Sequence, residues 1–123
     1  MAQLIMIVDD DVMNRELLET VFQRSGYRVA HASGGEQALR MIADEVPDLI
    51  LCDIRLGEMT GYDVCTRLKH EPLTSAIPFI LLSAADRQEE YANAVKVGAD
   101  AFFPKMKGWQ RLLELVKSTL PSA

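Results

Sequence analysis

The chain has 123 residues, of which 49% are hydrophobic and 25% charged, and it carries a formal net charge of −5 at pH 7. This length predicts a single folded domain over residues 1–123, large enough to bury a core without disulfides or metals. The acidic balance argues against direct nucleic-acid binding, because a protein that meets phosphates needs a basic face.

Apolar segments of strand length recur along the chain. They lie at residues 4–8, 27–31, 48–52, 79–82 and 101–103. Several of them are too continuously apolar to have one face in water, which is typical of parallel strands in a sheet covered on both faces.

Segments with a helical spacing of apolar residues separate these strands. Gly26 and Gly98 are expected to end the first and fourth helices, and the last helix carries an apolar stripe from Trp109 to Leu120. Regular alternation of strand and helix predicts a doubly wound α/β sandwich with right-handed crossovers. Three pairs of residues have the pattern of helix starts, namely Ser33 with Glu36, Thr60 with Asp63, and Asp86 with Glu89.

The two cysteines and the apolar content bear on the compartment. Cys52 and Cys65 are predicted to be buried thiols in a reducing compartment rather than a disulfide. The chain begins without the basic segment of a signal peptide, and no stretch approaches the about 20 apolar residues of a membrane span. We therefore expect a cytoplasmic protein that does not insert into membranes.

Polar side chains follow the ends of four of the five predicted strands, and only the second strand lacks one. Ligands of open parallel sheets bind beyond the carboxyl ends of the strands, near the point where the strand order reverses. We expect the polar side chains to converge there. They are Asp9, Asp10 and Asp11 after the first strand, Asp53 after the third, Ser83 after the fourth and Lys105 after the fifth.

Converging carboxylates repel each other, by about 4 kcal/mol for two charges ~4 Å apart at an effective dielectric constant of about 20. A cation would relieve this repulsion, and the all-oxygen donor set without Cys or His favours Mg²⁺. A carboxylate held beside Mg²⁺ and a lysine can attack phosphorus to give an aspartyl phosphate. Asp53 is the best candidate nucleophile because it ends the middle strand, and Lys105 and Ser83 would stabilise the transferring group.

Four motifs in order along the chain resemble the receiver domain of two-component response regulators. The resemblance covers essentially the whole chain. It implies a flavodoxin-like (βα)5 three-layer sandwich with a five-stranded parallel sheet in the order 2-1-3-4-5. The motifs are IMIVDDD at residues 5–11, LILCDIRL at 49–56 followed by MTG at 59–61, PFILLSA at 78–84 and GADAFFPK at 98–105.

The resemblance implies a phosphoacceptor switch in a phosphorelay. Asp53 would accept a phosphoryl group from a histidine kinase or a phosphotransfer protein. Mg²⁺ would be held by Asp53 and Asp10 directly, by Asp9 through water and by the backbone carbonyl of Arg55. The protein would catalyse only its own phosphorylation and dephosphorylation, so we do not expect a turnover enzyme.

The same resemblance implies how the signal leaves the site. Ser83 would move to the phosphoryl group, Lys105 would pair with it, and Phe102 would turn inward as an aromatic switch. The surface of the fourth helix, fifth strand and fifth helix would then change for an output partner that the sequence does not identify. Phosphorylation-dependent pairing of two copies is left open, and Met13 on the first helix is expected to contact the phosphodonor.

The chain departs from the receiver pattern at several positions. Met106 stands where receivers normally have a proline joined to the lysine by a cis bond. A cis bond to Met106 would cost ~3–4 kcal/mol, so we predict a trans bond and a remodelled loop from which Lys105 still reaches the site. Leu56 and Gly57 replace the usual Met-Pro. Arg55 and Ala85 should border the path of the hydrolytic water, which predicts slow self-dephosphorylation.

Two other functions fit parts of the sequence. A degenerate receiver that acts as an unphosphorylated interaction module is suggested by Met106. A haloacid-dehalogenase-type phosphatase would use Asp9 as nucleophile and Asp11 as acid, but Met13 and the short chain argue against it, and Asp53 would have no role. The chain stops soon after Leu120, so we expect either a stand-alone receiver or a piece of a larger regulator.

Overall fold

The computed structural model describes residues 2–120, so residue 1 and residues 121–123 of the predicted domain lie outside it. The strands are β1 (Leu4–Val8), β2 (Arg28–Ala32), β3 (Leu49–Asp53), β4 (Arg55–Leu56), β5 (Met59–Thr60), β6 (Phe79–Ser83) and β7 (Ala101–Pro104). The helices are α1 (Val12–Arg24), α2 (Gly35–Asp44), α3 (Gly61–Lys69), α4 (Gln88–Lys96) and α5 (Trp109–Thr119), with a 3-10 turn at Lys105–Lys107.

The main sheet has five parallel strands in the order β2-β1-β3-β6-β7. This is the predicted order 2-1-3-4-5, because β4 and β5 form a separate small hairpin. Every residue of β1, β3 and β6 is buried. Since parallel strands lie between two layers of helices, both faces of these strands must be apolar.

The helices form a layer on each face of the sheet. The side chains of α1 and α5 share one hydrophobic cluster with one face of the strands, and those of α2, α3 and α4 share another with the opposite face. Alternate residues of β1 show the division, since Ile5 and Ile7 join the first cluster and Met6 and Val8 the second. The predicted flavodoxin-like three-layer sandwich is confirmed.

Several local predictions are also confirmed. Thr60 and Asp63 form a reciprocal capping box at the start of α3. Gly26 and Gly98 follow α1 and α4 with φ angles of 95° and 85°, in the left-handed region that glycine adopts without steric cost. Cys52 and Cys65 are buried free thiols. Burial raises the pKa of the Cys65 thiol to about 11.

Two predicted helix starts are wrong. The N-cap of α2 is Gly34, which has no side chain, whereas the predicted cap Ser33 donates from its backbone N–H and its hydroxyl to Gln37 Oε1. Helix α4 begins one residue later than the Asp86 cap predicts, with Arg87 at the N-cap position and no side-chain hydrogen bond there.

The hairpin of β4 and β5 was not predicted. Its loop consists of Gly57 and Glu58, and only Gly57 has a positive φ, of 90°. That combination defines a type II′ turn, whose first central position favours glycine. In residues 2–120, none of the helices has the length and hydropathy needed to cross a bilayer.

Candidate functional site

The structure brings together three of the predicted acidic residues at the carboxyl edge of the sheet. Asp9 follows β1 and Asp53 ends β3, and these two strands are neighbours. Carboxylate oxygens of Asp9, Asp10 and Asp53 all lie within 4.8 Å of one another. Asp9 is completely buried, Asp53 is 8% exposed, and Asp10 is exposed to solvent.

Lys105 contacts two of these three carboxylates. Its Nζ atom donates to Asp53 Oδ2 at 2.8 Å and to Asp9 Oδ2 at 3.2 Å. No cis peptide bond occurs in residues 2–120, so the predicted trans Lys105–Met106 bond is confirmed. The 3-10 turn that begins at Lys105 directs Met106 outward, where it is 75% exposed, and leaves the lysine side chain in the site.

Burial and charge act in opposite directions on this ion pair. Burial raises the pKa of Asp53, and the hydrogen bond and charge of Lys105 offset only part of that effect. Burial lowers the pKa of Lys105, but the hydrogen bond and charge of Asp53, with a contribution from Asp9, outweigh it and raise the pKa overall. The lysine is therefore held as an ammonium ion between two carboxylates.

The three neighbouring aspartates at the end of β1 have different environments. Asp9 accepts hydrogen bonds from the Asp11 N–H at 2.9 Å, from the Asn14 side-chain amide and from Lys105. Asp11 caps α1 by accepting from the Met13 N–H at 3.0 Å, as one helix start requires. Asp10 takes part in no side-chain hydrogen bond or ion pair within residues 2–120, so its carboxylate is available to a ligand.

This donor set fits a hard divalent cation. An octahedral Mg²⁺ with bonds of about 2.1 Å places neighbouring ligand oxygens about 3 Å apart and opposite ones about 4.2 Å apart. One oxygen each of Asp9, Asp10 and Asp53 lies within 4.8 Å of the others, an upper limit slightly above the larger of these separations, and all three are carboxylates. Arg55, the predicted carbonyl ligand, lies at the wall of the same cavity, and its backbone makes a hydrogen bond that lowers the pKa of Asp53.

Ser83 ends β6 beside the acidic cluster and is 2% exposed. Its Oγ accepts from the Ala85 N–H at 3.0 Å and donates to Glu90 Oε1. A cavity of about 460 Å³ opens here, and its wall includes Asp10, Asp53, Arg55, Ser83, Ala85, Arg87 and Glu90.

Phe102 lies on β7, outside the lining of this cavity. Its ring is partly buried and packs edge-on against Tyr91 of α4, with ring centroids 6.0 Å apart and an interplanar angle of 81°. The predicted aromatic switch is thus in contact with the helix that also carries Glu90.

The backbone beside the nucleophile candidate requires glycine at position 61. A Cβ atom on Gly61 would collide with the carbonyl oxygen of Asp53. The Gly61 N–H donates to the Ile54 carbonyl at 2.8 Å, which ties the start of α3 to the end of β3. The glycine of the MTG motif therefore allows helix α3 to approach the site.

Several residues of the site, among them Asn14 and Glu90, were not found from the sequence. Asn14 could have been found, because it follows the Asp11 cap by one turn of α1, on the side that returns to the end of β1. Glu90 gives no local signal, since its contact with Ser83 depends on how the loop after β6 leads into α4.

This fold and site define a class of flavodoxin-like α/β domains with an aspartate–lysine pair and further carboxylates where the strand order reverses. The family model for the response regulator receiver domain matches residues 5–117. The chain belongs to the response regulator receiver domain family.

Individual relatives agree with this assignment. The chain is 35% identical over 116 residues, 94% of its length, to the transcriptional regulatory protein ZraR of Salmonella typhimurium and covers 26% of that protein. It is 34% identical over 116 residues to the phosphate regulon transcriptional regulatory protein PhoB of Pseudomonas aeruginosa, again 94% of this chain, and covers 51% of PhoB. The chain therefore spans about a quarter to a half of the length of these curated relatives.

Solved structures share the fold over nearly the whole chain. A putative response regulator from Chloroflexus aurantiacus superposes with a TM-score of 0.91 at 34% identity, covering 96% of this chain and 97% of that one. The BeF3-activated N-terminal receiver domain of RstA from Klebsiella pneumoniae has a TM-score of 0.89 at 26% identity, covering 97% of this chain and 99% of that one.

Proposed function

We propose that the protein is a phosphoacceptor switch in a two-component phosphorelay. Asp53 takes a phosphoryl group from a histidine kinase or a phosphotransfer protein in the presence of Mg²⁺. The observation that carries this proposal is the position of Lys105 Nζ, 2.8 Å from Asp53 and 3.2 Å from Asp9, within a cluster of three carboxylates. Phosphoryl transfer to an aspartate requires a positive charge beside a buried carboxylate and further carboxylates that can bind a metal ion.

The chemistry assigned to each residue follows from its contacts. Asp53 Oδ2 accepts a hydrogen bond from Lys105 Nζ, which orients the carboxylate that attacks phosphorus. As the new O–P bond forms, the P–N bond to the donor histidine breaks and its electron pair stays on the imidazole. Lys105 orients the nucleophile and neutralises charge on the phosphoryl oxygens. Mg²⁺, held by Asp10 and Asp53 directly and by Asp9 through water, would supply further positive charge.

Asp53 is consumed by this reaction and regenerated only when water attacks the aspartyl phosphate. The protein is therefore a substrate that assists its own modification, not a turnover enzyme. Arg55 and Ala85 both line the cavity that this water must cross. Their positions support the expectation that a long cationic side chain near the phosphoryl group slows self-dephosphorylation.

An apolar surface beside the site is suited to the phosphodonor. Met13 and Leu17 of α1 are 75% and 49% exposed, and Trp109 at the start of α5 is 42% exposed. Leu17, Trp109 and Lys105 line one small cavity of about 200 Å³ between the two helices. A helix of the donor that covers Met13 would thus lie next to the lysine of the site. Output would leave by the other side, through α4, β7 and α5, to an effector or to a second copy of the chain.

The structure offers less support for the other two functions. The unphosphorylated interaction module was suggested by Met106, yet Lys105 enters the site although the following residue is not proline. The phosphatase alternative needs Asp9 as a nucleophile. Asp9 is fully buried and accepts hydrogen bonds from Asp11, Asn14 and Lys105, whereas Asp53 faces the cavity.

Acetyl phosphate provides a direct test. The protein is incubated with acetyl phosphate and Mg²⁺ and its intact mass is measured, with Asp53→Asn as the test variant. Asp48→Asn is the matched control, because Asp48 lies at the opposite edge of the sheet and accepts from the Leu4 N–H. We expect one phosphoryl group on the wild type and on Asp48→Asn, none on Asp53→Asn, and none when EDTA removes the metal. A wild-type chain that gains no mass, or an Asp53→Asn chain that does, contradicts the proposal.

A further inference from the structure

We propose that Glu90 is an internal competitor for the Ser83 hydroxyl, which it holds until a phosphoryl group on Asp53 displaces it. The inference rests on the proposed phosphorylation of Asp53 and adds a residue that sets how readily the switch responds. It starts from the hydrogen bond between Ser83 Oγ and Glu90 Oε1 at the wall of the site cavity.

The hydroxyl of Ser83 has one proton to donate. In the structure it donates to Glu90, while its oxygen accepts from the Ala85 N–H. A serine hydroxyl cannot donate to a carboxylate and to a phosphoryl oxygen at the same time. Any state in which Ser83 donates to a group on Asp53 therefore first requires the bond to Glu90 to break.

Charge repulsion also opposes the presence of the Glu90 carboxylate and a phosphoryl group on Asp53 in the same cavity. A phosphoryl group on Asp53 would add negative charge to a cavity whose wall already contains Glu90, Asp10 and Asp53 itself. The partly buried Glu90 carboxylate would lie close to the new anion, and like charges in such a setting repel strongly. Arg55 and Arg87 line the same wall and are the cations to which a displaced Glu90 can turn.

The position of Glu90 on α4 gives the competition a structural consequence. Glu90 binds Ser83, and the next residue, Tyr91, packs on Phe102. The Glu90 backbone carbonyl also accepts from the Tyr62 hydroxyl of α3 at 3.3 Å. One turn of α4 thus holds both predicted switch residues, so release of Glu90 loosens the support of Phe102 as well.

The test measures the affinity for beryllofluoride, which binds an aspartate carboxylate as an analogue of the phosphoryl group. The protein is titrated with beryllofluoride at saturating Mg²⁺ and followed by the fluorescence of Trp109, the only tryptophan in the chain, which lines a cavity with Lys105. Because Glu90→Ala removes a hydrogen bond to a charged group that must otherwise be broken, we expect about tenfold tighter binding. Glu90→Gln keeps an acceptor without the charge, and its affinity should fall between the two.

Glu89→Ala is the matched control. Glu89 precedes Glu90 on α4 but is exposed to solvent and does not line the site cavity. Its removal changes the net charge and the helix by the same amount, and we expect an affinity within about twofold of the wild type. Thermal unfolding of each variant identifies any loss of fold, and the Glu90→Gln variant keeps the test valid if Glu90→Ala is unstable.

A double-variant cycle identifies the route of the effect. In a Ser83→Ala background, Glu90 no longer holds a hydroxyl, so Glu90→Ala should keep only the part of the tenfold gain that comes from relieved charge repulsion. Unchanged or weaker binding by Glu90→Ala, or a full gain that persists without Ser83, overturns the competitor role while leaving the proposed function intact. If neither the wild type nor any Glu90 variant binds beryllofluoride or gains mass from acetyl phosphate, the proposed function fails and the competitor role fails with it.

Discussion

Two lysine–aspartate clusters lie at opposite edges of the same sheet. At the carboxyl edge, the site cluster consists of Lys105 with Asp9, Asp10 and Asp53. At the amino edge, the basal cluster consists of Lys69 and Asp100, whose Nζ and Oδ2 atoms are 2.9 Å apart. The site cluster thus has three aspartates for one lysine, and the basal cluster has one aspartate for one lysine.

The basal cluster is balanced. Lys69 Nζ donates to Asp100 and to the carbonyl groups of Ser75 and Ile77, at 3.2 and 2.9 Å. Asp100 Oδ2 also accepts from the Phe79 N–H at 2.7 Å, which joins the start of β6 to the start of β7. One positive and one negative charge therefore cancel, and their hydrogen bonds hold the backbone.

The site cluster has one lysine for three carboxylates, so it carries excess negative charge. A bound cation would relieve this repulsion, and Asp53 lines the cavity beside the cluster. From this comparison we expect the ion pair with matched charges to stabilise the fold, and the pair with surplus carboxylates to lower stability and to create a place for chemistry.

The largest expected difference between the clusters is in how much the loss of the lysine slows phosphorylation. Lys105→Met should reduce the initial rate of phosphorylation by acetyl phosphate about a hundredfold, because it removes the ammonium group beside the transferring phosphoryl. Lys69→Met should leave that rate within about twofold of the wild type when the protein is folded, since Lys69 lies at the other edge of the sheet. Time-resolved intact mass spectrometry measures both rates. A Lys105→Met variant that is phosphorylated at the wild-type rate would remove the chemical distinction between the clusters.

The next largest effect is on stability and should have the opposite pattern. Asp100→Ala leaves the Phe79 N–H, at the start of a fully buried strand, without its side-chain acceptor, and leaves Lys69 without its counter-ion. We expect the free energy of unfolding to fall by about 2 kcal/mol, mainly from the lost hydrogen bond. Urea denaturation measures this change. Asp44→Ala, at the exposed end of α2, serves as the control and should change stability by less than about 0.5 kcal/mol.

The site cluster could be located from the sequence in part, whereas the basal cluster was not predicted. The sheet was predictable because strands buried on both faces must be apolar, and its carboxyl edge gathers whatever residues follow β1, β3, β6 and β7. Asp9, Asp53 and Lys105 meet for that reason. The trans Lys105–Met106 bond was predictable because a cis bond without proline has a high energy. The position of Lys105 in the site was predictable because this residue directly follows β7.

The remaining features depend on tertiary contacts that leave no local pattern. The hairpin of β4 and β5 has strands of two residues, too short for a hydrophobic period. The start of α4 was misassigned to Asp86 because that residue has capping chemistry, although Arg87 takes the N-cap position. Since the contact of Glu90 with Ser83 depends on the path of that loop, it could not be found before the structure.

The smallest expected effect concerns the stability of the site cluster itself. Asp53 has a raised pKa, chiefly because it is buried, so the folded protein binds the proton more readily than the unfolded chain does. Its ionisation therefore opposes folding at neutral pH. Without metal, Asp53→Asn should be more stable than the wild type by about 1 kcal/mol, seen as a rise in Tm of a few degrees.

The pH dependence and the metal dependence of this effect separate it from a general gain in packing. The advantage of Asp53→Asn should be full above the raised pKa and vanish as the pH falls below the ordinary aspartate value of about 3.9, where the carboxyl is protonated in both states. Mg²⁺ at about 100 times its Kd should stabilise the wild type by about 2.7 kcal/mol and reverse the order of the two proteins. Asp100→Asn in the balanced basal cluster should gain no stability over the wild type, and Mg²⁺ should not alter its stability relative to the wild type. If Asp53→Asn has a lower Tm than the wild type in EDTA at neutral pH, the surplus carboxylates of the site cluster do not lower the stability of the fold.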